Sequence, residues 1–159
     1  MVARTSAGLL PYRFRDGRVE VLIAHMGGPL WARREEGAWS VIKGEHDESE
    51  EPLAAARREF LEETGAPAPG GGEMLELGQV RQSGGKRVTA WAVEAELDAA
   101  SLHSNAFEIE WPPRSGRVRE FPELDRFEWC EPALARRRLV KAQVELLDRL
   151  ERLLGQKRP

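Results

Sequence analysis

The stretch from Ser49 to Thr64, SEEPLAAARREFLEET, constrains this chain more than any other, because its periodicity fits a helix and its charges fit one task. Leu53, Ala56, Phe60 and Thr64 fall close together at 100° per residue and form one inward stripe. Ser49 stands where a cap is wanted, and Pro52 falls in the first turn, whose N–H groups lack intrahelical partners. Gly65 suits the left-handed residue that ends a helix. Beside the stripe, Glu59, Glu62 and Glu63 stand at i, i+3 and i+4 and share one face. Like charges at that spacing repel by roughly a few tenths of a kcal/mol per pair in water, and by more where a core desolvates them. A divalent cation reverses that sign. Hard oxygen donors suit Mg²⁺ or Mn²⁺, and magnesium keeps waters and completes its octahedron with substrate phosphates. Arg58 can fix a neighbouring carboxylate through charge-assisted hydrogen bonds.

Around this helix the pattern is mainly extended. Residues 5–14 and 19–24 read as strands joined by Arg15-Asp16-Gly17-Arg18, since Asp-Gly is a strong hairpin signal. Trp31-Ala32 and Trp39-Ser40-Val41 read as short extended pieces around a charged loop at 33–37. Pro67 to Gly72 is a loop, and 74–82 and 87–97 form a second hairpin about Ser83-Gly84-Gly85-Lys86. The span 103–125, rich in Pro, Gly and charge, is expected to be a long irregular excursion before a short strand at Phe127 to Cys130. Pro132 then opens one helix running to about Leu154, with Leu139, Ala142, Leu146, Leu150 and Leu153 inward. These elements make an α/β chain forming one domain over residues 1–159.

Composition narrows the partners. The net charge of −3 lacks the basic stripe that a general nucleic-acid binder needs. No run approaches the roughly 18 apolar residues that span a bilayer, and the amino-terminal stretch MVARTSAGLLPYRFRDG does not read as a signal peptide. A cytoplasmic protein, monomer or homodimer, acting on a small molecule is expected. Cys130 is the sole cysteine, so it forms no internal disulfide, and it reads as a buried or half-buried small side chain. His25, His46 and His103 show no metal-ligand spacing, and Arg136-Arg137-Arg138 reads as a solvated helix face.

Gly44, Glu50, Arg58, Glu59, Phe60, Glu62, Glu63, Gly65 and Ala66 fill every position of the Nudix box: glycine, five residues, glutamate, seven residues, Arg-Glu, an apolar residue, any residue, Glu-Glu, any residue, glycine, an apolar residue. At about one in ten per fixed position, a chance match is on the order of 10⁻⁷ per start. The chain thus resembles the Nudix hydrolases: the box covers residues 44–66, and the hairpin before it, the strands after it and the C-terminal helix resemble the family across most of the chain. The resemblance implies an α/β/α sandwich with a mixed sheet between the box helix and a C-terminal helix. It implies metal-dependent hydrolysis of a diphosphate bond in a nucleoside-diphosphate-linked substrate, with Mg²⁺ or Mn²⁺ as cofactor. By the same resemblance, Glu59, Glu62 and Glu63 supply ligands and the carboxylate that orients or deprotonates water, joined by a backbone carbonyl at Lys43 or Gly44. Arg58 completes the catalytic set, and Glu50 is read as its partner rather than as a ligand. A further carboxylate is expected from Glu120 or Glu123.

Lys43 and Arg33 are candidate cations for the substrate, and Trp31 and Trp39, with Trp111, are aromatics able to stack on a base or cap a pocket. Gln79 to Ser83 lacks both the proline of ADP-ribose-cleaving relatives and the tyrosine of several dinucleoside-polyphosphate-cleaving ones. The Trp-x-x-x-Lys-Gly-Glu run looks most like the MutT-like and diadenosine-polyphosphate branch. Diadenosine polyphosphates or nucleoside triphosphates are therefore the leading substrates. The alternatives are ADP-ribose or a nucleotide sugar, or a non-catalytic module that senses a nucleotide.

Overall fold

A computed structural model describes residues 5–70 and 72–157. Met1 to Arg4, part of the stretch read for a signal peptide, and Gly71 of the 67–72 loop lie outside the described residues. In chain order the elements are β1 (Thr5–Arg15), β2 (Arg18–Met26), β3 (Trp39–Ser40), β4 (Ile42–His46), α1 (Pro52–Thr64), β5 (Leu75–Arg81), β6 (Arg87–Glu94), β7 (Ala106–Glu110), β8 (Val118–Pro122), β9 (Leu124–Cys130), α2 (Pro132–Arg138) and α3 (Val144–Lys157). Among the described residues, no helix is long and apolar enough to cross a membrane.

The main sheet runs β3-β2-β1-β6-β5, with β4 paired to β1 and β9 to β2. It is mixed, because β1 lies parallel to β6 and antiparallel to β2 and β4. The period of two along each strand sorts side chains between two cores. Leu10, Ile23 and Ala92 face one side with Leu146, Leu147 and Leu150 of α3. Their neighbours Leu9, Leu22 and Trp91 face the other side with Ala55, Ala56 and Phe60 of α1. Helices thus cover both faces, the α/β/α sandwich that the resemblance implies. Double coverage also explains why β1 is buried almost continuously from Ser6 to Tyr12.

Four local expectations are corrected. The cap of α1 is Glu51, whose carboxylate accepts from the N–H groups of Leu53 (3.2 Å) and Ala54 (3.1 Å). Ser49 instead donates its N–H to Asp47 Oδ1 at 2.9 Å. The 132–154 helix is broken, since Leu139 is extended and bridges to Trp39 while Val140 N–H donates to Trp39 O at 2.8 Å. Holding Leu139 in the core beside β3 outweighs continuing the helix. Trp31-Ala32 forms a turn rather than an extended piece. The 103–125 span contains the β7–β8 hairpin, whose alternation is half-exposed and so left a weak hydrophobic signal.

Two bulges set up the site's surroundings. On β9, His25 pairs with Arg126 and Met26 with Leu124, which leaves Asp125 extra; its carboxylate meets His25 Nδ1 at 2.7 Å. On β5 the register shifts between Glu76 and Gly78, and Arg149 of α3 donates to the carbonyls of Leu77 (2.8 Å) and Gln79 (3.1 Å). Cys130 is buried as read, and burial pushes its thiol pKa up. The arginine triplet is not simply solvated: Arg138 lies 4.5 Å over Trp39 and pairs with Glu128, and Arg136 pairs with Asp148 and Glu151.

Candidate active site

The register of β4 against β1, with Ala7 opposite Gly44 and Gly8 opposite Lys43, places the start of the box at the amino-terminal end of β1. A short turn then leads into α1, which packs Ala55, Ala56 and Phe60 on the same side of the sheet. This returns Glu59 onto Gly44. A Cβ on Gly44 would lie 1.8 Å from Glu59 Oε2, so only glycine leaves room for that carboxylate. Glu59 is 7% exposed, and burial raises its pKa against the opposing pull of Arg58. Arg58 ties the acidic face together. Its Nε and Nη2 donate to Glu50 at 2.7 and 2.8 Å, and its Nη1 donates to Glu59 Oε1 at 2.8 Å and Glu62 Oε2 at 3.1 Å.

Glu123 is brought to the same place by a connection between elements far apart in sequence. His103 N–H donates to Thr64 O at 3.0 Å and Asn105 N–H to Glu62 O at 3.3 Å, so the 103–105 loop grips the end of α1. Asn105 O accepts from Glu123 N–H at 2.8 Å, and Glu123 O accepts from Gly27 N–H at 2.9 Å. Glu63 consequently faces a crowd of negative charge. Burial, then the charges of Glu123, Glu59 and Glu62, push its carboxyl up to about 7, with Lys43 opposing. Lys43 is half-buried, and burial followed by the charge of Lys86 lowers its pKa.

These groups line a cavity of about 650 Å³ that has Lys43, Gly44, Glu59, Glu63 and Glu123 in its wall. Its lining also includes Trp31, Gln82, Gln143 and Lys86. A second cavity, of about 580 Å³, lies at the far end of β1, where Arg13 is already bound to Glu20 and Glu96.

The structure therefore gathers Lys43, Gly44, Glu59, Glu63, Glu123 and Trp31 around one space. Arg58 and Glu62 adjoin it without lining it, and Glu62 is turned to Arg58. Arg33 is exposed on its loop, and Glu120 is exposed on β8; neither lines the cavity. Trp39 corrects an expectation. Its ring is fully buried, edge-on to His25 at 5.3 Å with Arg126 and Arg138 over it, so it cannot reach a substrate in that cavity. Sequence reasoning missed Gln82, Gln143 and Lys86, which carry no motif; only the fold brings Gln143 to Val41.

Among the described residues, no three His, Cys, Asp or Glu side chains already converge as a ligand cluster. The donor set nonetheless fits a hard divalent cation. Four carboxylates, Glu45, Glu59, Glu63 and Glu123, line one cavity, burial followed by the charges of Glu123 and Glu59 disfavours ionisation of Glu63, and Gly44 leaves its backbone bare beside Glu59.

The NUDIX domain family profile matches residues 3–150, and the chain belongs to that family. It is an enzyme of the pyrophosphohydrolase class. Similar solved structures include a C. elegans Ap4A hydrolase binary complex, at 23% identity and TM-score 0.63, covering 97% of this chain and 99% of that one. The NUDIX domain of Shewanella oneidensis NrtR complexed with ADP ribose matches at 13% identity and TM-score 0.65, covering 97% and 90%. The MutT protein from Methanosarcina mazei Go1 matches at 18% identity and TM-score 0.60, covering 98% and 96%. At these identities the likeness is one of fold. No match was found among curated proteins.

Proposed function

We propose that this enzyme hydrolyses a phosphoanhydride bond in a nucleoside polyphosphate, either a dinucleoside polyphosphate or a nucleoside triphosphate, with Mg²⁺ as its metal and Mn²⁺ as a substitute. The observation that carries the reading is the carboxylate wall in which burial and neighbouring charge push Glu63 up to about 7. Such a wall disfavours its own ionisation unless a cation arrives.

Glu59, Glu62, Glu63 and Glu123 hold the metal, with a backbone carbonyl of Lys43 or Gly44. The bound metal supplies charge neutralisation of the diphosphate and a lowered pKa for a water ligand. Glu59 is suited to take the water's proton, because burial raises its basicity while Arg58 keeps its carboxylate in one position. The water oxygen forms the new bond to phosphorus as the bridging P–O bond breaks, and the leaving phosphate takes that electron pair. Lys43 meets the remaining phosphate charge from the cavity wall. Arg58 and Glu50 act at one remove, by holding Glu59 and Glu62.

The test is a panel of dinucleoside polyphosphates, nucleoside triphosphates, ADP-ribose and a nucleotide sugar with Mg²⁺, with products separated by chromatography. Turnover of the first two classes is expected, together with a fall of about 10²-fold or more in Glu62→Gln and Glu63→Gln, since losing even a supporting partner of a ligand costs about 10- to 100-fold. Cleavage of ADP-ribose or the sugar alone would replace the substrate class. Binding of these nucleotides without turnover would overturn the reaction proposed here.

A further inference from the structure

The cavity contains a hydrogen-bond relay whose direction is fixed by a group that cannot flip. Gln143 is fully buried, and its Oε1 accepts the backbone N–H of Val41 at 2.8 Å. Its Nε2 must therefore donate, and it does so to Ser40 Oγ at 3.0 Å and to Gln82 Oε1 at 2.8 Å. Ser40 Oγ in turn donates to Val41 O at 2.7 Å, which closes the buried part of the relay. Gln82 is thus held with its oxygen toward Gln143. Its Nε2 amide, with two hydrogens, donates to no described residue, and Gln82 lines the cavity. The backbone is pinned as well, since Gln82 N–H donates to Lys86 O at 2.7 Å.

Trp31 lines the same cavity and packs, half-buried, against the α3-side core that also contains Val41. The cavity thus offers an aromatic ring and an oriented donor, which are the two elements that hold and read a heteroaromatic base. A free glutamine reads adenine by pairing its oxygen with the N6 amino group and its amide with N7. Here the oxygen is already engaged by Gln143, so the two amide hydrogens best match an edge with two adjacent acceptors, as O6 and N7 of guanine provide.

We propose that Gln82 and Trp31, which line the same cavity, receive the substrate's base and select guanine, a 6-oxopurine, over adenine. This rests on the nucleoside-polyphosphate reading above and decides the base which that reading leaves open. Guanosine-containing polyphosphates then rank above their adenosine counterparts.

The experiment compares kcat/KM for GTP and ATP with Mg²⁺, and the Kd of GDP and ADP by titration calorimetry, in wild type, Gln82→Met and Gln82→Glu, with Tm recorded for each. A guanine preference of about 10-fold is expected in both measurements, the equivalent of about 1.4 kcal/mol. It is lost in Gln82→Met and turned toward adenine in Gln82→Glu, whose carboxylate still accepts from Gln143 but offers the cavity an acceptor. Turnover of both triphosphates with no base preference overturns the base assignment and leaves the proposed reaction standing. A guanine preference that survives in a folded Gln82 variant overturns the role of Gln82. Neither binding nor cleavage of any nucleotide overturns both readings.

Discussion

Gly44 and Glu59 occupy each other's space: a Cβ on Gly44 would lie 1.8 Å from Glu59 Oε2. Gly44 is not among the glycines with positive φ, so its backbone suits any residue and the constraint is purely this contact. Gly44→Ala is therefore expected to displace the Glu59 carboxylate with little backbone strain. Because misplacing a reacting group by about 1 Å can cost roughly 10²-fold, turnover should fall by about that factor while the fold persists. Steady-state kinetics paired with a thermal melt decide it, and a wild-type rate would mean that Glu59 need not sit where it does.

Arg58 is expected to act through geometry rather than charge alone. One guanidinium bridges Glu50, Glu59 and Glu62, which a lysine's single ammonium cannot reproduce. Arg58→Lys should lower kcat by about 10- to 100-fold. Arg58 also opposes the burial that raises the pKa of Glu59, so its replacement by glutamine should move the acidic limb of the kcat/KM profile to higher pH. A profile that keeps its shape would separate Glu59 from the titrating base.

Much of the fold and part of the site could be read from the sequence, and the division has a physical cause. The box helix, the Asp16-Gly17 hairpin and the strands of the main sheet are local patterns, set by periodicity and turn residues within a few positions. The cap was misplaced because Glu51 and Ser49 both offer oxygens to the same turn, and only the helix's real start at Pro52 decides between them. The break after Arg138 was invisible because Leu139 satisfies the helical stripe as well as it satisfies the bridge to Trp39. The Gln82–Gln143 relay joins residues 61 apart, and neither glutamine has a local signature.

Glu123 and Glu120 offer an internal contrast, since both were candidates for the same carboxylate. Glu123 lines the cavity and is clamped by Asn105 and Gly27, whereas Glu120 is exposed on β8 opposite Glu108. Glu123→Gln is expected to raise the Mg²⁺ concentration needed for half-maximal turnover by about 10-fold or more, and Glu120→Gln to leave it unchanged. Equal effects would remove Glu123 from the metal set.

Trp39 and Arg33 should likewise part company from substrate binding. Trp39 is fully buried beneath Arg126 and Arg138, so Trp39→Ala should cost about 3–5 kcal/mol of stability by leaving a cavity. Arg33→Ala, at an exposed loop position, should stay within about 0.5 kcal/mol and leave KM unchanged. Chemical denaturation and KM measured together provide the check, and a raised KM in Arg33→Ala would return that residue to the site.

The raised carboxyl of Glu63 gives the metal-free enzyme a pH dependence of defined sign. In the folded chain this group titrates at about 7, against an ordinary value of 4.5. Between those values the folded state binds a proton that the unfolded state has lost, so unfolding becomes easier as pH rises. The contribution of Glu63 is therefore most favourable below about 4.5 and is lost as pH climbs through about 7. Glu59 adds in the same direction, whereas Asp47 and Glu50, whose pKa values are lowered, oppose it. The difference between wild type and Glu63→Gln isolates the one group. In EDTA, Tm measured from about pH 5 to about pH 8 should fall more steeply for wild type than for the variant. Adding Mg²⁺ at the alkaline end should recover wild type more than the variant, because the cation binds the ionised wall. Parallel pH profiles in EDTA would show that Glu63 titrates as an ordinary surface carboxylate, and the repulsion assigned to that wall would have to be abandoned.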